Sequence, residues 1–246
     1  MSSVLAIDFG NENIVMAAPR KGGVDVILNQ ASHRLSPSMI AYSETRRYAG
    51  EHARTQQMQN VKGTITQLKR LIGLKFNTPE REKIQNLIPY ELVELEDGFI
   101  GVKVMYLEQE KIFRVEQCVA YLIKDNFEIA RLQNIHATDC VIIGSPFWDE
   151  CQRRTVLDAA KIAGVNVLKL LNSTTAAAIG YSMYHRKRLP EKADKAVPVA
   201  FVDFGDSSIN CAIVMLSQGS VEVKGFACNE HLGGQDFTTA LVNMLL

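Results

Sequence analysis

The apolar positions of the first thirty residues come in short bursts. Val4 to Phe9 and Ile14 to Ala18 are separated by Gly10 and three polar residues, and Gly22-Gly23 leads into a third run, Val24 to Leu28. Runs of this length, punctuated by glycine and small polar residues, predict three antiparallel strands. The same phrase returns later, where Val199–Asn210 (VAFVDFGDSSIN) repeats the order of Val4–Val15 (VLAIDFGNENIV). The offset is constant at 195 residues and pairs Asp8 with Asp203, Gly10 with Gly205 and Ile14 with Ile209. Repetition at so long a period signals a fold built from two similar halves.

Between the copies the period changes several times. Asn29 to Pro37 is polar and Ser38 to Tyr42 reads as a short strand. From Gly50 to Lys75, the spacing of Ala53, Met58, Val61, Ile65, Leu68, Leu71 and Ile72 predicts a helix that ends near Gly73 and carries Lys69 and Arg70 at its end. Asn77 to Glu82 reads as a solvated loop. Tyr90 to Val93, Gly101 to Tyr106 and Lys111 to Val115 read as short strands, with Asp97-Gly98 at one turn. Residues 30–115 are therefore expected to be an insertion carried by the first half. Glu116 to Arg131 is an amphipathic helix.

Strand and helix then alternate. Asp139 to Gly144 is a strand, Asp149 opens a helix that stops at Gly164, Val167 to Leu171 is a strand, and Thr174 to Tyr184 is an alanine-rich helix. This order implies parallel strands beside the opening antiparallel ones, in a mixed five-stranded sheet with helices packed on its faces. His185 to Pro198 reads as an exposed linker. The second half predicts strands over Val199 to Phe204, Ile209 to Leu216 and Ser220 to Phe226, then a helix from Gln235 to Leu246 after Gly233-Gly234. The expected organisation is a first lobe over 1–190, a linker over 191–198, and an incomplete second lobe over 199–246, as in a fragment of a longer protein.

Composition adds constraints. Of 246 residues, 47% are hydrophobic and 22% charged, enough for sizeable cores. Lys plus Arg equals Asp plus Glu at 27 each, so net charge argues for neither nucleic acid nor a membrane surface as partner. No apolar run reaches membrane-spanning length, and the cytosol is the default location. The five cysteines are widely separated and read as small core residues in a reducing compartment.

The candidate chemistry lies in the repeat. Asp at a strand end can hold a hydrated cation, and Gly lets the N–H groups of a turn approach a phosphate. Asp8 and Asp203 are therefore candidates for Mg²⁺ on a nucleotide's phosphates, and Asp203 can instead orient an attacking water. Lys69 is a candidate charge at the terminal phosphate that spacing alone does not single out, since a lysine at a helix end is more often a solvated dipole partner.

Several segments together carry a resemblance: Asp8-Phe9-Gly10, Leu68–Gly73 (LKRLIG), Ser145-Pro146 through Ala159–Leu168 (AAKIAGVNVL), Leu171–Tyr181 (LNSTTAAAIGY), Val202–Gly205 and His231–Phe237 (HLGGQDF). In this order the chain resembles, along essentially its whole length, the ATPase domain of the heat shock protein 70 superfamily. It is nearer to the heat shock protein 110 branch, because of the Asn-rich residues after Gly10, Ser207-Ser208 in place of a glycine run, and the Leu189-Pro190 linker. The resemblance implies an α/β, actin-like ATPase (ribonuclease H-like) duplicated fold and ATP or ADP with Mg²⁺ as cofactors. By position, Asp8, Gly10, Asn11 and Asn13 resemble the first phosphate loop and Lys69 the catalytic lysine. Asp203, Gly205, Ser207 and Ser208 resemble the second loop, and Gly233-Gly234 a turn near the ribose and phosphates.

Departures from the pattern bear on activity. Hydrolysing relatives have a carboxylate where this chain has Ser173, and their loop hydroxyls give way to Asn11 in the first loop and change around Asp206 in the second. Glu12 and Asp206 add carboxylates to turns expected to hold phosphate. Two unit charges about 5 Å apart, at an effective dielectric of about 20, repel by about 3 kcal/mol unless the side chains point outward. The resemblance thus implies a co-chaperone with very weak turnover, acting as a nucleotide exchange factor for heat shock protein 70 and a holdase for unfolded clients, in the cytoplasm and also the nucleus. A hydrolysing chaperone is the alternative, and only the resemblance excludes a small-molecule kinase of the same fold.

Overall fold

A computed structural model describes residues 3–20 and 22–245. The expected opening strands are β1 (Ser3–Phe9), β2 (Asn13–Arg20) and β3 (Gly23–Ile27), paired antiparallel in sequence order. Their alternation buries Leu5, Ile7, Phe9, Ile14, Met16 and Ala18 on one face. β4 (Ser36–Pro37) also pairs with β2, so the main sheet has six strands instead of the five expected.

Beyond β4 run β5 (Ile40–Tyr42), β6 (Arg47–Ala49) and α1 (Gly50–Gln56). Here the structure corrects the expected single helix over Gly50–Lys75. α1 ends at Gln56, a 3₁₀ turn covers Val61–Gly63, β7 is Thr64–Ile65, and α2 is one turn, Leu68–Leu71. The cause is Asn60, whose Oδ1 accepts from the Gly63 amide at 3.1 Å while its Nδ2 donates to the Tyr42 carbonyl at 2.6 Å. A side chain that satisfies the backbone locally competes with the helical ladder. The β-branched pair that follows joins β5 through Ile40↔Ile65 and Ala41↔Thr64. The apolar spacing was real but belonged to separate elements: Ala53, Ile65, Leu68, Leu71 and Ile72 are fully buried, whereas Met58 is 88% exposed.

The expected loop at Asn77–Glu82 contains the start of α3 (Pro79–Gln85), which has Thr78 at its N-cap, Pro in its first turn, and Glu80 and Glu82 beside the amide end. β8 (Glu91–Glu94), β9 (Ile100–Tyr106) and β10 (Gln109–Arg114) form an antiparallel sheet. The β9–β10 turn places Leu107 at φ 53° and Glu108 at φ 60°, left-handed values that neither side chain favours. Such two-residue turns prefer Asn-Gly. Leu107→Asn combined with Glu108→Gly is therefore expected to raise stability by about 1 kcal/mol in denaturant titration.

α4 (Val115–Leu132) buries Cys118, Val119, Leu122 and Ile123. β11 (Ala137–Gly144), α5 (Glu150–Ala163) and β12 (Asn166–Asn172) follow, and the main sheet runs β12-β11-β1-β2-β3. α5 has both signals read in the sequence: Asp149 Oδ1 accepts from the Gln152 amide at 2.7 Å, and Gly164 closes the helix at φ 78°.

The chain divides into two compact units, 1–142 with 148–170, and 143–147 with 171–246. The second contains α6 (Ser173–Tyr184) and the antiparallel sheet β13 (Val197–Phe204), β14 (Ile209–Ser217) and β15 (Ser220–Asn229), followed by α7 (Gly234–Leu245). Leu246, at the expected end of α7, lies outside the described residues. Helix α6, read with the first half, packs on β13 and β14, where Ala178 joins Leu189, Ala212, Val214 and Leu216 in one core. The expected exposed linker holds two short 3₁₀ turns and buries Leu189, whose carbonyl accepts from Gln218 Nε2 at 3.1 Å. In β15 the register slips at Lys224, which is skipped between Val214↔Val223 and Ile213↔Gly225. All five cysteines are free; Cys118 and Cys140 are core residues as expected, but Cys228 is exposed.

The duplication extends to register. In the first hairpin Asp8 faces Val15 and Phe9 faces Ile14; in the second Asp203 faces Asn210 and Phe204 faces Ile209. These are the same pairs shifted by the offset of the repeat.

Candidate functional site

In the first unit Asp8 near the end of β1, Gly10, Asn11 and Glu12 in the turn, and Asn13 at the start of β2 form the first hairpin's tip. Asp8 is exposed at the end of β1 and its carbonyl accepts from the Gly10 amide at 3.2 Å. Any Cβ on Gly10 would overlap the carbonyl of Asn13, so the turn is closed too tightly for another residue. Asn11 is buried and its Nδ2 donates to Gln67 Oε1 at 2.7 Å. Glu12 is exposed, while its carbonyl accepts from the Ser38 amide at 2.8 Å.

Lys69 lies on α2. This is a single turn and not the end of a long helix, so the dipole role read in the sequence loses its basis. Its ammonium stands 5.7 Å from the centre of the Trp148 ring, within cation–π range. Gln67, immediately before the turn, adopts a left-handed backbone at φ 57°. At the other end, a Cβ on Gly73 (φ 66°) would come within 2.9 Å of the Gln152 backbone. The chain just after α2 therefore sits hard against α5.

In the second unit Asp203 is half-buried. Its Oδ2 accepts from Ser173 Oγ at 2.7 Å and from Asn210 Nδ2 at 3.4 Å. Ser173 opens α6 and Asn210 lies opposite Asp203 on β14, so one carboxylate oxygen is held by two elements. The turn closes through the Gly205 amide to the Ser208 carbonyl at 2.9 Å, with Ser207 and Ser208 buried and Asp206 half-buried. Its other side receives the start of α7: the Gly234 amide donates to the Gly205 carbonyl and the Gln235 amide to the Asp206 carbonyl, each at 2.9 Å. Gly233 donates to Asp236 Oδ2 at 2.7 Å, and a Cβ there would overlap Asp206.

Thus Asp8, Gly10, Asn11 and Lys69 belong to one unit and Asp203, Gly205, Asp206 and Gly233-Gly234 to the other. Sequence reasoning missed Gln67, Asn210 and the bond from Ser173 to Asp203. Only Asn210 had a visible signal, because the repeat sets it opposite Asp203. The bare turn at Gly10 fits the close approach of a phosphate, and the second carboxylate oxygen of Asp203 fits a metal-bound water.

The family model described as Hsp70 protein matches residues 4–246. The chain belongs to the heat shock protein 70 family. It is 37% identical over 244 residues to a heat shock protein homolog of Saccharomyces cerevisiae, covering 98% of this chain and 35% of that protein. It is 38% identical to Heat shock protein hsp88 of Neurospora crassa (99% and 34% covered) and 37% identical to Heat shock protein 88 of Dictyostelium discoideum (98% and 31%). These relatives are of the heat shock protein 110 type, as the loop residues implied. The chain spans about a third of their length. The fold of this heat shock protein 70 ATPase domain is actin-like, in accord with the repeated hairpins and the mixed sheet. Among the described residues no helix is long and apolar enough to cross a membrane.

Proposed function

We propose that this chain is the phosphate-gripping part of a heat shock protein 110-like co-chaperone, which binds ATP or ADP with Mg²⁺ and turns ATP over very slowly. The whole protein acts as a nucleotide exchange factor for heat shock protein 70 and as a holdase for unfolded clients, in the cytoplasm and nucleus. The observation that carries the reading is the bond from Ser173 to Asp203. A hydroxyl that donates to Asp203 occupies the place where hydrolysing relatives have a carboxylate, so the second loop keeps its shape with one acidic group fewer.

In this reading Gly10, Asn13, Gly205, Ser207, Ser208 and Gly233-Gly234 shape the turns that receive the phosphates. Asp8 in the first unit and Asp203 in the second each have the chemistry that would hold a Mg²⁺-bound water, and the ion would supply charge that neutralises phosphate. Lys69 supplies a positive charge to the terminal phosphate. Exposed Glu12 is solvated, which relieves the repulsion it would otherwise exert. Bound ATP then stabilises a partner-competent shape without needing cleavage.

The test has two arms. Added to heat shock protein 70 loaded with a fluorescent nucleotide, the whole protein is expected to speed release, while multiple-turnover assays give little phosphate. Turnover at the rate of an active heat shock protein 70, with no effect on release, would favour the hydrolysing chaperone instead.

A further inference from the structure

Two residues before Lys69, Gln67 is joined to Asn11 across 56 residues of sequence. Gln67 is a non-glycine residue in left-handed backbone, a conformation that disfavours itself unless neighbours hold it. The neighbour is Asn11, whose side-chain amide donates to Gln67 Oε1 at 2.7 Å. Immediately after this turn the chain buries Leu68 and Leu71 completely and meets the Gln152 backbone at Gly73. With Leu68 and Leu71 anchored inward, the direction of Lys69 depends on how the chain enters α2, which is set at Gln67. In the observed arrangement the ammonium faces the ring of Trp148.

We propose that Gln67 is a positioning residue that, through Asn11, ties the first loop to Lys69, so that a phosphate seated on the loop and the lysine that meets it are aligned as one piece. The assignment of phosphate to the loop rests on the function proposed above; the link between Asn11, Gln67 and Lys69 does not. It also gives a role to Asn11, where relatives carry a hydroxyl: its amide reaches across to α2.

Trp148 is the single tryptophan of the chain, so its emission reports on Lys69 without a label. In the nucleotide-free chain, Lys69→Met defines the emission change that follows loss of the ammonium. Gln67→Ala and Asn11→Ala are each expected to shift emission in the same direction, and the double variant no further than either alone. Gln67→Glu is expected to retain the native emission, because it keeps an Oε1 acceptor for the Asn11 amide. Native emission in both alanine variants, additive shifts, or an alanine-like shift in Gln67→Glu would overturn the proposal. A second readout, titration with Mg²⁺ and ATP on the whole protein, should show affinity falling about tenfold in Gln67→Ala and Asn11→Ala alike. Absence of ATP binding by the unsubstituted protein would refute the proposed function, while the emission series would still decide the link.

Discussion

Gly233→Ala is expected to lower stability by about 3 kcal/mol, and Gly234→Ala, one residue on, to leave it unchanged or slightly improved. The two glycines look interchangeable in sequence. A methyl group at Gly233 would overlap the carbonyl of Asp206 and press on the Ser207 amide, whereas at Gly234 it meets its nearest atom, the Gly205 carbonyl oxygen, at an ordinary 3.8 Å. The close contact is backbone on both sides, so no side chain can rotate away. Relief requires parting the second loop from α7 and loses the bonds from Gly234 to Gly205 and from Gln235 to Asp206. Thermal melts of the two variants check the contrast. In the whole protein, the Gly233 variant should also lose ATP binding, because the loop that carries Asp203 would shift. Equal melting temperatures for the pair would show that the loop accommodates the methyl group.

The second large effect depends on pH. Burial pushes the Asp125 carboxyl up to about 6, with the charge of His52 drawing it down and that of Glu128 raising it further. The folded state thus holds this proton where the unfolded chain, with an ordinary aspartate near about 3.9, has released it. The folded state binds more protons between about pH 4 and pH 6, so stability falls as pH rises through that window and then levels off. The carboxylate is a net cost at neutral pH. Asp125→Asn is expected to add about 2 kcal/mol at pH 7, fading to nothing near pH 4. The difference between the two denaturation curves across pH isolates Asp125 from other titrating groups. A difference that stays constant with pH would place the cause in packing.

The sequence showed most plainly what depends on neighbours along the chain. The hairpins, the cap and stop of α5 at Asp149 and Gly164, and the glycine turns of both loops follow from local rules, and the repeat carried its pattern into the strand register. Long-range competition was hidden. Nothing between Gly50 and Lys75 announces that Asn60 will bond back to Tyr42 and break the helix. Thr78-Pro79-Glu80 has the local signature of a helix start, although the charged, proline-containing stretch also fits a solvated loop. Within the site, glycines and aspartates were legible by type and spacing. The groups that hold them, Gln67 for Asn11 and Ser173 for Asp203, lie 56 and 30 residues away and belong to no motif.

Strand β15 is an end of its sheet, ten residues long and exposed along most of its length, with Phe226 59% exposed. A flat strand of that kind would template the addition of further copies, strand upon strand. The slip at Lys224 divides it into stretches of four and five residues, and the lysine sits at the break beside Glu222 at 2.6 Å. Bulges and edge lysines both frustrate continuous pairing. Removing this single residue would be expected to join the two stretches into one unbroken ladder, and with it a longer continuous edge for another strand to pair with.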